Sequence, residues 1–134
     1  MITDTKEDYL RALSKLEQAK GGSVKSKELA EFLRLAKSTV SERLRELVEN
    51  DLIRQEPYGP ITFTPKGRRI AEEITYKHRL VEVFLTEKLG ISKLKAHEEA
   101  HKIEHVISDN VAQKLSAFLN NPKTCPHGQP LGKP

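Results

Sequence analysis

Between Ser26 and Phe63 the hydrophobic residues change their spacing once, and that switch restricts the fold more than any other feature of the chain. Leu29, Phe32 and Leu33 recur at helical spacing after Ser26, which can cap a helix, and a short turn follows over residues 34–37. A second helix opens at Lys37 or Ser38 and runs to about Asn50, with Val40, Leu44, Leu47 and Val48 as its apolar stripe. Then the pattern becomes that of strands: Leu52-Ile53-Arg54-Gln55-Glu56 and Ile61-Thr62-Phe63 flank the turn-forming cluster Pro57-Tyr58-Gly59-Pro60. Two helices in helix-turn-helix order followed at once by a β-hairpin predict a winged helix-turn-helix.

Helices surround this core motif. Leu10, Leu13 and Leu16 predict a first helix over about residues 5–18, closed by Gly21-Gly22. Thr64-Pro65 combines a capping hydroxyl with proline at the first helical position, and the apolar pattern from Ile70 sustains a long helix that Gly90 ends. Two more helices are expected, from Leu94 to about Ile107 and from about Asp109 to Leu119 on Val111, Leu115 and Phe118. The final 14 residues hold four of the seven prolines, so that tail is expected to be extended or disordered. The fold class is therefore mainly α, with a DNA-binding winged helix-turn-helix at residues 1–64, an all-helical domain at 65–120 and a Pro/Gly-rich tail at 121–134.

Charge and composition narrow the function without deciding it. A formal net charge of +4 permits nucleic-acid binding. No apolar run approaches the roughly 20 residues of a membrane-spanning helix, and the start lacks a secretory pattern, so a soluble, cytoplasmic protein without a membrane partner is expected. One cysteine, Cys125, cannot make an internal disulfide. In a helix-turn-helix the amino-terminal part of the second helix meets base edges, and basic groups meet phosphates. Here the candidates are Lys37, Ser38, Thr39, Ser41, Glu42, Arg43 and Arg45, with Arg54 on the wing.

The second half carries a different chemistry. His97, His101 and His105 recur every four residues on one predicted helix, with Glu104 beside the last. His97 and His105 are roughly 12 Å apart along a helix axis, too far for one ion. His101, Glu104 and His105 lie within one turn, and imidazole plus carboxylate suits first-row divalent metals. This group needs further ligands, and Asp8 is an available hard oxygen donor on the first helix. A second group would join His97 to His78 and Glu82, which are four apart on the long helix. His97-Glu98-Glu99-Ala100-His101 also matches the His-Glu-x-x-His pattern of zinc proteases, with Glu98 as general base, although a helix rich in these residues matches it by chance.

Taken together, these stretches resemble the diphtheria-toxin-repressor-type family of iron- and manganese-dependent transcriptional repressors. The resemblance rests on Glu7-Asp8-Tyr9-Leu10, Ser38-Thr39-Val40-Ser41, Thr64-Pro65-Lys66-Gly67, Lys77-His78-Arg79-Leu80 with Glu82, and His97-Glu98-Glu99-Ala100-His101 leading to Glu104-His105. It implies a metal-binding and dimerisation role for the helical domain, up to two divalent metals per subunit, and a homodimer on a near-palindromic double-stranded operator. It assigns a regulatory site to Asp8, His101, Glu104 and His105 and an ancillary site to His78, Glu82 and His97. Iron-type members carry methionine and cysteine at the positions of Asp8 and His101, and manganese-type members carry aspartate and glutamate. The aspartate favours Fe(II) or Mn(II), while the imidazole of His101 leaves Zn(II) open. Longer members continue into an SH3-like third domain; this sequence resembles a short form, and Cys125-Pro126-His127-Gly128 resembles the end of the second domain. Leu80, Val81, Phe84 and Leu85 are candidates for the dimer surface or equally for the core. The competing readings are a winged-helix regulator indifferent to metal and a metal-dependent hydrolase.

Overall fold

The computed structural model describes residues 4–57 and 59–132, so Tyr58 of the expected wing turn and the last two residues of the expected tail lie outside it. The chain separates into two compact units, residues 1–71 and 72–134. In the first, α1 (Asp4–Lys20), α2 (Ser26–Leu33) and α3 (Lys37–Glu49) precede a hairpin of β1 (Ile53–Gln55) and β2 (Ile61–Phe63). The hairpin is antiparallel, pairing Ile53 with Phe63 and Gln55 with Ile61. Ile61 also donates its N–H to the Val24 carbonyl at 2.7 Å, so the segment before α2 joins the wing, a pairing that the periodicity does not announce.

Three local details differ from the sequence reading. Ser26 does not cap α2 but is its first residue; the cap is Lys25, whose N–H donates to the Glu28 carboxylate at 3.0 Å. The Ser26 hydroxyl instead accepts from Gln55 at 2.6 Å. Phe32 and Val48, expected to face inward, are 45% and 42% exposed. Leu29 and Ala30 on α2, and Val40, Leu44 and Leu47 on α3, take the inward positions, which leaves Phe32 and Val48 on the flanks of their stripes.

The wing is fastened to the next helix, α4 (Pro65–Glu87), through one threonine. The Thr64 hydroxyl accepts from the Gly67 N–H at 3.0 Å, as an N-cap should, and donates to the Asp51 carbonyl at 2.7 Å. This brings the start of α4 against the Leu52 carbonyl. A Cβ built on Gly67 would lie 1.8 Å from that oxygen, a backbone atom that cannot swing aside. Replacing Gly67 by alanine is therefore expected to destabilise the first unit by about 2 kcal/mol or more, as overpacking does, whereas a helix-propensity argument alone predicts stabilisation. Chemical denaturation of the two proteins distinguishes these signs.

In the second unit, α4 continues and is followed by α5 (Lys93–Ile103) and α6 (Asp109–Phe118). Gly90 ends the α4 segment at φ +66°, with the Ile91 N–H donating to the Leu85 carbonyl at 3.0 Å. Ser92 and Ser108 cap α5 and α6 by accepting from Lys95 and Val111. The helix expected to reach Ile107 stops at Ile103, and residues 104–106 form a turn. His105 is thus not on one helix with His97 and His101. The chain must leave α5 early enough for Ser108 to start α6, and Lys77 holds the Ile107 carbonyl at 2.8 Å.

The helices bury Leu80, Val81 and Leu85 at 0, 2 and 5% exposure, with Phe84 half-buried beside them. These four are core, not the dimer surface they were candidates for. The tail also departs from expectation. Thr124 pairs with Pro130, the Leu131 N–H donates to the Lys123 carbonyl, and Cys125 and Leu131 are buried in one cluster with Tyr76, Leu80 and Leu119. Two apolar anchors order a segment whose proline and glycine content suggests disorder.

Candidate metal centre and nucleic-acid interface

Four-residue spacing puts two ligand-type side chains on one face of each of two helices: His78 and Glu82 on α4, His97 and His101 on α5. Glu104, one residue past α5, completes a closed ring of contacts. His78 Nε2 lies 3.2 Å from Glu82, and His78 Nδ1 lies 3.5 Å from Glu104. Glu104 lies 3.2 Å from His101 Nδ1, His101 Nε2 lies 3.3 Å from His97 Nε2, and His97 Nδ1 lies 3.3 Å from Glu82. Each of His78, His97 and His101 uses both imidazole nitrogens within the ring.

Burial gives this ring its chemistry. Glu82 and Glu104 are 2% and 1% exposed, and imidazoles stand within ion-pair distance of both. Burial pushes the Glu82 carboxyl up, but the bonds and charges of His78 and His97 outweigh it and hold that carboxyl below its usual range. Burial, reinforced by His78, pushes the His97 imidazole down, with Glu82 opposing. A neutral imidazole beside an ionised carboxylate is the protonation state that metal ligation requires.

The geometry fits a divalent ion. Tetrahedral ligands about 2.0–2.1 Å from a metal stand roughly 3.3 Å apart. His78 Nε2 stands 3.2 Å from His97 Nδ1 and 3.2 Å from Glu82 Oε1, and His97 Nδ1 stands 3.3 Å from Glu82 Oε2. Among the described residues, two triads of ligand atoms within this unit lie inside 4.8 Å: His78 with His97 and His101, and Glu82 with Cys125 and His127. His127 Nδ1 lies 3.2 Å from Glu82, which therefore meets three imidazoles. His105 is half-buried in the turn after α5, outside both triads. Asp8 is half-buried on α1, with Arg11 at 3.8 Å.

Cys125 and His127, expected in the tail, stand beside Glu82, a contact that helical periodicity does not announce. The signal available was the Cys-x-His spacing on a tight turn: the Gly128 N–H donates to the Cys125 carbonyl, with Gly128 at φ +81°. Glu98, by contrast, is exposed and pairs with Lys95 at 3.6 Å, away from the ring, so the protease-like pattern lacks an inward general base.

In the first unit, α3 buries Val40, Leu44 and Leu47, which turns Lys37, Ser38, Thr39, Ser41, Glu42 and Arg45 to solvent. Arg54 is exposed on β1. Arg43 is half-buried and pairs with Glu46 at 3.2 Å. The N-cap of α3, Ala36, offers no side-chain acceptor to the first-turn amides.

Residues 1–61 match the family description "Iron dependent repressor, N-terminal DNA binding domain", and residues 64–131 match "Iron dependent repressor, metal binding and dimerisation domain". The chain belongs to the iron-dependent repressor family. It is 35% identical over 130 residues to the iron-dependent repressor IdeR of Mycobacterium tuberculosis, covering 97% of this chain and 56% of that protein. It is also 35% identical over 113 residues to an HTH-type transcriptional regulator of Methanocaldococcus jannaschii, covering 84% of this chain and 90% of that protein. The chain thus spans little more than half the length of IdeR but most of the archaeal regulator. Among solved structures it resembles the manganese regulator SloR (TM-score 0.80, 36% identity, 96% of this chain and 62% of that one). It also resembles a manganese-dependent transcriptional repressor in complex with manganese (TM-score 0.86, 35% identity, 96% and 60%). The resemblance covers the helical content and the two-stranded wing alike, and no helix among the described residues is long and apolar enough to cross a membrane.

The Cys125 thiol gives this centre a spectroscopic handle. Titration with Co(II) is expected to produce a thiolate-to-cobalt charge-transfer band that disappears in Cys125→Ser. A band that persists in the variant, or never forms in the native chain, removes Cys125 from the ligands.

Proposed function

We propose that this chain is a cytoplasmic, metal-dependent transcriptional repressor that binds a near-palindromic double-stranded operator as a homodimer and controls metal-homeostasis genes. The observation that carries this reading is the ring of Glu82, His78, Glu104, His101 and His97, whose donors and spacings suit a divalent transition ion, on a chain with an exposed α3 amino terminus. Fe(II) or Mn(II) is favoured by the carboxylates, with Zn(II) favoured by the number of imidazoles and by Cys125. His101, Glu104 and His105 serve with Asp8, a hard oxygen donor, as the regulatory ligands. His78, Glu82 and His97 form the ancillary set, to which the proposal adds Cys125 and His127.

When bound, the metal supplies positive charge that two buried carboxylates otherwise draw from imidazoles. The residues do the rest. His78 faces Glu82 through one ring nitrogen and Glu104 through the other, while His97 faces Glu82 through one and His101 through the other, so the imidazoles link the two carboxylates. Asp8, drawn to the regulatory ligands, ties α1 to the metal state, and DNA and metal then strengthen each other's binding by linkage. On the DNA side, Ser38, Thr39 and Ser41 are small enough to approach base edges, Lys37, Arg45 and Arg54 neutralise phosphates, and Glu42 and Arg43 complete the candidate surface.

The deciding experiment is a DNA-binding titration on the protein's own promoter with Mn(II), Fe(II), Zn(II) or chelator, for the native chain and His101→Ala. Chelator is expected to abolish specific binding, and His101→Ala to need at least tenfold more metal; affinity indifferent to chelator refutes metal gating and favours a metal-independent winged-helix regulator. In the same assay Glu104→Ala is expected to impair activation more than Glu82→Ala. The reverse ranking exchanges the regulatory and ancillary assignments.

A further inference from the structure

On α3 the residues that face the core fix which side chains face away from it. Val40 and Leu44 are buried, and Glu42 stands two residues from each. At roughly 100° per residue, Glu42 therefore points to the opposite side of the helix. Ser38, one turn earlier, shares that crest, with Thr39 and Arg45 beside it, and all four side chains are exposed. The amino-terminal turns of this helix are the part that meets base edges in a helix-turn-helix. A carboxylate in the middle of such a surface is a cost, because the approaching duplex is a polyanion. Nothing within the protein offsets that cost: Arg43 is engaged by Glu46 at 3.2 Å, and among the described residues none forms a hydrogen bond or ion pair with Glu42.

The chemistry of the carboxylate selects the base it can tolerate. When ionised it only accepts hydrogen bonds. In the major groove thymine O4 and guanine O6 and N7 are acceptors and repel it, whereas cytosine N4 and adenine N6 are amines that donate. Adenine sets its N7 acceptor beside that amine, within reach of the second carboxylate oxygen, while cytosine has no acceptor on its own major-groove edge. Resting on the reading of the first unit as operator-binding, we propose that Glu42 reads a cytosine by accepting from its N4 amine, which places a C·G pair under the second turn of α3 in each half-site. The small hydroxyl side chains of Ser38 and Thr39 leave room for that approach, and Lys37, Arg45 and Arg54, all exposed, meet the phosphates on either side. The carboxylate then acts in two directions: it favours cytosine, and it disfavours thymine, guanine and phosphates bound out of register. A repulsive element of this kind adds specificity that attractive contacts alone do not supply.

The test is fluorescence anisotropy of the full chain on duplexes of its own promoter, in whichever of Mn(II), Fe(II) or Zn(II) gives the tightest binding. Each base pair of the half-sites is replaced in turn, and a scrambled duplex of equal length serves as the non-specific probe. For the native chain, replacing one C·G pair per half-site is expected to weaken binding about fivefold or more, whichever base pair takes its place. Glu42→Ala is expected to erase discrimination at that position alone, and to bind the scrambled duplex more tightly than the native chain does, since a charge that phosphates repel is gone. Glu42→Gln is expected to move the preference there from C·G to A·T, because glutamine donates to N7 and accepts from N6 of adenine. Circular dichroism is expected to be unchanged in both variants, the side chain being exposed. A base profile that neither variant alters, or one altered only where the native chain prefers a base other than cytosine, overturns the assignment; a carboxylate that is merely a solvated charge tightens binding to every duplex alike when it is removed. Native protein that binds its promoter no better than the scrambled duplex with any of the three metals instead overturns the operator-binding reading itself.

Discussion

The second unit of this protein is organised around two carboxylates that have been taken out of water. An ionised carboxylate at 1–2% exposure is tolerable only with compensation, because each buried charge left unpaired costs several kcal/mol. Glu82 meets the imidazoles of His78, His97 and His127, and Glu104 meets those of His78 and His101. The choice matters. A guanidinium is a permanent cation and would settle the charge balance for good, whereas an imidazole is neutral or charged according to what else is bound. The unit is thereby left with a charge balance that a divalent cation can complete.

The rest of the unit can be read as support for this arrangement. Helical spacing delivers His78 with Glu82 and His97 with His101; the early end of α5 brings Glu104 round to His78; and the ordered tail returns His127 to Glu82. Val81 and Leu85 pack with Ala96 and Ala100 of α5, and Leu80 and Val83 pack with Tyr76 and Ala112, so α4 is held by apolar contacts on both sides of its ligand pair. Rings that contact one another at centroid separations of 4.7–4.8 Å have little freedom to rotate independently. Pre-organisation of this kind lowers the ordering entropy that metal binding must overcome.

The first unit follows a different logic, in which backbone contacts set the geometry. Thr64 joins the hairpin to α4 with one hydroxyl used in both directions, and Gly67 is required because a carbonyl occupies the space of its side chain. The consequence is a rigid mount for the wing. The burial of Val40, Leu44 and Leu47 then decides which side of α3 remains available to a ligand.

Local physics was sufficient for the sequence to determine the elements and their order. Helical periodicity, a threonine-proline start, a glycine stop and a change to β-favouring residues all act within a few residues of one another, and the helix-turn-helix, the wing and the three later helices are legible from them. So are the ring's five residues as ligand types, because i, i+3 and i, i+4 spacing is itself a statement about geometry. Tertiary structure decided what depends on residues distant in the chain. Val24 joins Ile61, Glu104 reaches His78 from beyond a helix end, Cys125 and Leu131 order a proline-rich segment, and His127 meets Glu82. It also decided that Leu80 and Val81 are core while Val111 and Phe118 face outward, since an apolar stripe wider than the surface it packs on must leave some of its residues exposed, and only packing selects which.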